Sequence, residues 1–177
     1  PLINQLTKFY NADDIEPIEF YGNCYNGNAD LYTTMSYLPH VDTFPGADEG
    51  INPLNDYAFN LNLTKSDKVK TAFYSFNGKK SVCDWTPDDY DDHDRVRDRH
   101  KKIKAKNWRL LSSENFQNYQ LEYVANIEYN SLILYPSHYW HSVYIKEDWF
   151  TDTDRVTFTG FFETKTTSSK RKKLGFG

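Results

Sequence analysis

Residues 57 to 64 alternate without a break, with Tyr57, Phe59, Leu61 and Leu63 on one side and Ala58, Asn60, Asn62 and Thr64 on the other. A period of two fixes this stretch as a strand with one apolar face. Lys65-Ser66-Asp67 then reads as a turn, and Lys70 to Phe76 as a second strand that stops at Asn77-Gly78, a favoured turn dipeptide. The two are expected to be an antiparallel hairpin or near neighbours. Strand patterns also cover 31 to 42, 119 to 128, 131 to 145 and 155 to 163, while the Asn, Gly and Asp clusters of residues 1 to 30 read as turns between short edge segments. Aromatic residues make up 17% of the chain, and β-rich packing accommodates them better than a helical bundle does.

One stretch breaks the strand rhythm. Between 84 and 107 acids come first, from Asp84 to Asp94, and bases follow, from Arg95 to Lys106. Thr86 before Pro87, acids in the first turn and lysines in the last match a capped helix aligned with its own dipole. Its apolar stripe is thin, so a surface helix or mobile loop is expected, placed as a lid at the mouth of whatever site the strands build. The acids lack the spacing and the glycine of a calcium loop. Residues 165 to 177 lose all period and read as a basic, flexible tail, leaving 1 to 164 as a single domain, which a 177-residue chain is long enough to stabilise without disulfides.

Net charge of -4 and a mean hydropathy of -0.78 describe a soluble chain without the positive field that duplex nucleic acid requires, so nucleic acid is not indicated as a partner. No apolar run reaches a membrane span and no charged-then-apolar leader opens the chain, so no membrane partner is expected. Cys24 and Cys83 have no metal-ligand spacing and read as reduced thiols in a cytoplasmic protein, with a Cys24–Cys83 disulfide as the second reading.

The chemistry-bearing residues are few and widely separated. His40-Val41-Asp42 is the one His-x-Asp in the chain; on a strand, residues two apart leave the same face, so an imidazole and a carboxylate can reach one ion. Far downstream stands Tyr135-Pro136-Ser137-His138-Tyr139-Trp140-His141, and after it Arg155-Val156-Thr157. Asp42 and His141 are 99 residues apart, and His141 and Arg155 are 14 apart. Two imidazoles and one carboxylate on one face of a metal, with the other positions open, make the facial triad of non-haem Fe(II) oxygenases. His138 competes with His141 for the third ligand position.

In this order of elements the chain resembles the 2-oxoglutarate/Fe(II)-dependent oxygenase superfamily. The Tyr-Pro-Ser-x-x-x-His element, the Arg-x-Thr of the last strand and the Thr71-Ala72-Phe73-Tyr74 strand resemble small phage and bacterial members of it, over residues 30 to 163. The resemblance implies a mainly β fold, a double-stranded β-helix or cupin-like jelly roll with few peripheral helices, in which residues distant in sequence meet at the barrel mouth. It implies His40, Asp42 and His141 as Fe(II) ligands, His138 being a turn residue. It also implies 2-oxoglutarate and O2 as cosubstrates.

Arg155 suits the far carboxylate of 2-oxoglutarate because a guanidinium holds a carboxylate by two parallel hydrogen bonds, and Thr157 on the same strand face adds a hydroxyl. A surface pairing of Arg155 with Asp152 or Asp154 is the rival reading. Asn60 and Asn62 either point into the barrel or face water; Asn62 is the candidate to bond the metal-proximal carboxylate, and the Tyr usual in that part of the family's site is absent. Three functions follow: a hydroxylase of this kind, a cupin-like metal enzyme without 2-oxoglutarate, or a noncatalytic jelly-roll binding or virion-associated module. The substrate stays open between a protein side chain, a nucleobase and a small metabolite, and the setting is the cytoplasm, a host's if the source is viral.

Overall fold

The computed structural model describes residues 8, 14–25, 39–42, 56–101, 118–145 and 149–165. Among these residues seven strands follow one another: β1 (Asp14–Tyr25), β2 (Asp56–Asn62), β3 (Lys70–Phe76), β4 (Tyr119–Asn126), β5 (Leu132–Pro136), β6 (His141–Val143) and β7 (Arg155–Lys165). Between β3 and β4 lie a 3₁₀ turn (Val82–Asp84) and a helix, α1 (Pro87–Lys101). The strand pairings are antiparallel, in a four-stranded sheet ordered β1-β7-β2-β5 and a three-stranded sheet ordered β4-β3-β6. At the free edge of β6, His40 bridges His141 through two backbone hydrogen bonds of 2.9 Å, so the His40 segment extends the smaller sheet.

The alternating stretch forms β2 and its successor forms β3, but the two are not a hairpin. Both edges of β2 are taken, by β7 and β5, so β3 has no edge to pair with and crosses to the other sheet. The connection is anchored at its start. Leu63 N donates to Val156 O, and the Thr64 hydroxyl accepts from Val156 N at 2.7 Å, tying the end of β2 to the start of β7. The expected strand over 131 to 145 is also divided. Pro136 has no N–H to continue a ladder, and the turn after it, closed by Tyr139 N to Pro136 O, separates β5 from β6. The 31 to 38 part of the expected early strand, residues 102 to 107 and the basic tail from 166 onward lie outside the described residues.

The apolar face of β2 points away from the smaller sheet. Phe59 packs with Ile15 and Phe162, flanked by Tyr57, Leu61, Leu132, Leu134 and Phe158. Gly160 lies against this layer, and an added Cβ would land on the rings of Phe20 and Phe59. Gly160→Ala is therefore expected to lower stability by about 1–3 kcal/mol, the usual cost of overpacking; thermal unfolding of the variant measures it.

The second core lies on the outer face of the three-stranded sheet. Ala72, Tyr74, Phe76 and Trp140 pack there against Val82, Trp85 and Val96, and the Trp85 and Trp140 rings stack with centroids 5.0 Å apart. Helix α1 begins as expected: the Asp89 carboxylate accepts from Thr86 N at 2.7 Å and from the Thr86 hydroxyl, and pairs with Lys79. Burial pushes the Asp89 pKa up, but these hydrogen bonds and the lysine charge outweigh it and hold the carboxyl below the usual carboxylate range. The helix nonetheless covers the outside of the sheet, and none of the described side chains from 84 to 98 lines the cavity between the sheets, so the expected lid does not form from the described part of this segment. Among the described residues no helix is long and apolar enough to cross a membrane, and Cys24 and Cys83 are both free thiols.

Candidate metal and anion site

The inner face of the four-stranded sheet is polar, and it looks across a cavity of about 360 Å³ at the smaller sheet. Asn23, Asn60, Thr157 and Thr159 line it on one side, Thr71 and Val143 on the other, with His40, Asp42 and His141 together along one wall. Arg155, 2% exposed, and Thr157, 1% exposed, mark the closed end; Tyr21 and His40, both exposed, mark the open one.

His40, Asp42 and His141 each offer one donor atom, and the three atoms lie within 4.8 Å of one another. His141 Nε2 is 3.4 Å from Asp42 Oδ2, and His40 Nε2 is 3.8 Å from Asp42 Oδ1. Adjacent strands supply this convergence. The backbone bridge sets His40 beside His141, and Asp42 N donates to Ser137 O at 2.9 Å. Ser137 in turn holds the start of β2, its N and Oγ both donating to Asp56 O. The Pro-Ser step before the histidine is thus a backbone tie that places the carboxylate.

The protonation pattern suits a cation. His141 Nδ1 lies 2.9 Å from Tyr139 O, so this nitrogen carries the hydrogen and Nε2 presents a lone pair. Asp42 Oδ2, which it faces, is buried and has no hydrogen-bond donor. Burial pushes the His141 pKa down to about 4, against the raising effect of Asp42, so a proton is not what joins the two groups at neutral pH. A neutral imidazole and a carboxylate meeting lone pair to lone pair is the donor chemistry of a divalent metal, and the backbone carbonyl behind the imidazole is the usual orienting partner of a metal-binding histidine.

The remaining sequence candidates separate. His138 turns from the group, its Nδ1 2.8 Å from Ser81 Oγ, and burial lowers its pKa. Arg155 enters the cavity with Nη1 3.3 Å from Thr157 Oγ1. Asn62, paired with Thr157 across the strands, is not a lining residue: its Nδ2 donates to Ile127 O at 2.7 Å and its Oδ1 accepts from Thr64 N at 2.7 Å, which uses both ends of the amide. Asn60, one turn of the pleat nearer the mouth, is the asparagine that faces the cavity.

No protein-family model and no curated protein sequence matches the chain. Among solved structures it is similar to an N-substituted L-amino acid dioxygenase from Burkholderia ambifaria AMMD in complex with alpha-KG, with TM-score 0.45 and 11% identity over 80% of this chain and 47% of that one. A second structure of such a dioxygenase from that organism gives 0.44 and 13%, covering 82% and 51%. HygX from Streptomyces hygroscopicus with iron bound gives 0.46 and 10%, covering 85% and 58%. The chain spans about half the length of these structures.

Tyr135 was not among the sequence candidates, yet it lines the cavity. Its ring centroid is 4.6 Å from that of His141. Burial pushes its pKa well above the usual phenol value, Asp42 and Tyr21 push it further, and Arg155 partly opposes them. Asn23, which no motif marked, and Thr71, which was quoted in the Thr71-Ala72-Phe73-Tyr74 strand but given no site role, are likewise lining residues.

Proposed function

We propose that this chain is an Fe(II)- and 2-oxoglutarate-dependent oxygenase, a hydroxylase built on a double-stranded β-helix. The observation that carries the reading is the pairing, in one cavity, of a His-Asp-His donor set with a buried arginine at the closed end. The sheet order, four strands facing three with the His40 segment as a fourth, supports the jelly-roll assignment.

His40, Asp42 and His141 would hold the iron. Once bound, the iron would supply the oxidative chemistry that couples conversion of 2-oxoglutarate and O2 to succinate and CO2 with hydroxylation of a substrate C–H bond. The protein's own part is placement. Arg155 would grip the far carboxylate by two parallel hydrogen bonds, and Thr157, 3.3 Å from its Nη1, would add a hydroxyl. The substrate, a protein side chain, a nucleobase or a small metabolite, enters past Tyr21 and His40.

Anaerobic addition of Fe(II) and then 2-oxoglutarate should produce the visible absorption of the metal chelate. Iron binding without that absorption points to a cupin-like metal enzyme that does not use 2-oxoglutarate; no iron binding leaves a noncatalytic jelly-roll module.

A further inference from the structure

A second, smaller cavity of about 170 Å³ lies between the loop that follows β2 and the loop that precedes β7. Lys65, Ser66 and Lys68 line it from the first loop, and Phe150, Asp152 and Thr153 from the second. None of these residues borders the larger cavity. Asp152, which the sequence offered as a surface partner for Arg155, belongs here instead.

Both loops are held in place by the protein alone. Thr64 Oγ1 accepts from Val156 N at 2.7 Å and lies 3.2 Å from Asp154 O, which ties one loop to the other. Within the first loop Ser66 N donates to Thr64 O and Lys68 N to Ser66 Oγ at 3.1 Å. Beneath them Val69, Ile127 and Phe150 form a buried cluster. Phe150 has φ 58°, a left-handed conformation uncommon for a bulky residue, and the burial of its ring, 2% exposed, holds the turn that carries Asp152 and Thr153.

The charges around this space are not used up. Lys68 and Ser66 are half-buried, with Lys65, Asp152 and Thr153 exposed at the rim. Lys65 Nζ stands 5.2 Å from the centre of the Tyr129 ring. Among the described residues neither lysine nor Asp152 makes an ion pair, although all three line one small cavity. Ammonium and carboxylate groups that share a cavity without closing on each other leave room for a group that bonds to both. Two ammoniums and two hydroxyls against one carboxylate suit an anion with several oxygens and at least one hydrogen of its own. The volume is below the roughly 300–1,000 Å³ of pockets for drug-sized ligands, which fits a tetrahedral oxyanion and not a nucleotide.

The geometry points to a second binding site, for a protonated phosphoryl group, either free hydrogenphosphate or the end of a phosphate monoester. Lys65 and Lys68 take its charged oxygens, Ser66 and Thr153 add hydroxyls, and Asp152 accepts the P–OH hydrogen. The carboxylate sets the selectivity. Sulfate has the same shape but no hydrogen, so it would bring a charged oxygen against Asp152.

Calorimetric titration with inorganic phosphate, methyl phosphate and sulfate tests this, at about pH 6, where a phosphate monoester still carries its hydrogen in part. Arg155→Ala protein is titrated beside wild type, so that the arginine of the larger cavity is taken out of the measurement. Phosphate is expected to bind about tenfold more tightly than sulfate or better, the difference made by one hydrogen bond to a charged group, and to do so in both proteins. Lys68→Met should weaken phosphate about tenfold or more, with thermal unfolding in phosphate-free buffer unchanged. Asp152→Asn, which offers sulfate an NH₂ group, should bring sulfate up toward phosphate. Methyl phosphate binding as phosphate does assigns the site to phosphate esters, and phosphate binding alone assigns it to the free ion.

No phosphate binding in wild type overturns the inference. So does phosphate binding that Arg155→Ala removes and Lys68→Met leaves intact, since it then belongs to the larger cavity, or a preference over sulfate that Asp152→Asn leaves unchanged. Asp152 is exposed, and its variant decides alone if Lys68→Met does not fold. Neither iron nor 2-oxoglutarate enters the measurement, so the result stands apart from the proposed function.

Discussion

Replacing His141 with Ala should leave the protein unable to retain Fe(II), with affinity falling by more than about 100-fold, since even the loss of a ligand's outer partner costs about 10–100-fold. The change removes one of three donor atoms and leaves Asp42 Oδ2, which has no hydrogen-bond donor of its own, facing empty space. The backbone bridge to His40 uses main-chain atoms only and survives the substitution, so the loss reports on ligation and not on the fold. His138→Ala is the matched control. Its ring is bonded to Ser81 Oγ and lies outside the donor cluster, so iron retention should persist. Iron content after gel filtration of the two variants separates them; loss in His138→Ala with retention in His141→Ala would exchange their roles.

What could be read from the sequence divides along the line between local and long-range information. The alternation of 57 to 64 shows which side chains share a face, and β2 keeps that division. It cannot say which sheet comes next. β3 leaves its neighbour because β5 and β7, distant in sequence, occupy both edges of β2. Asn60 and Asn62 are equivalent by the same period; they differ only through depth, since Asn60 stands across from Thr159 at the cavity wall and Asn62 across from Thr157, where the carbonyl of Ile127 captures its amide. Period two gives the face, and cross-strand register gives the height.

The helix shows the same limit. Thr86-Pro87 with its early acids was legible as a start, and Thr86 and Asp89 make that cap. Its position on the outer face of the smaller sheet was not, because the partners that hold it, Phe76 and Trp140 against Trp85, come from three separated segments and look in sequence like ordinary aromatic core residues. Tyr135 is hidden in the sequence for the same reason. A tyrosine in a strand of two facing sheets is usually core, and only its contact with His141 and Asn60 distinguishes this one.

Arg155→Ala is expected to cost about 2–5 kcal/mol of 2-oxoglutarate binding, because it leaves the far carboxylate unpaired in a site shielded from water. At about 1.4 kcal/mol per factor of ten, the affinity falls at least about 30-fold. The size follows from burial. Arg155 is 2% exposed, so its charge is little screened, and Thr157, 3.3 Å from Nη1, is too weak a donor to replace it. Arg155→Lys should recover only part of the loss, since an ammonium cannot reproduce the planar two-point grip. Fe(II) affinity measured without 2-oxoglutarate should stay close to wild type, as the guanidinium is not one of the three donor groups. Titrating iron and 2-oxoglutarate separately in the two variants keeps ligation and cosubstrate capture apart; a 2-oxoglutarate affinity that Arg155→Ala leaves untouched would transfer the carboxylate to other donors and favour a metal enzyme that works without it.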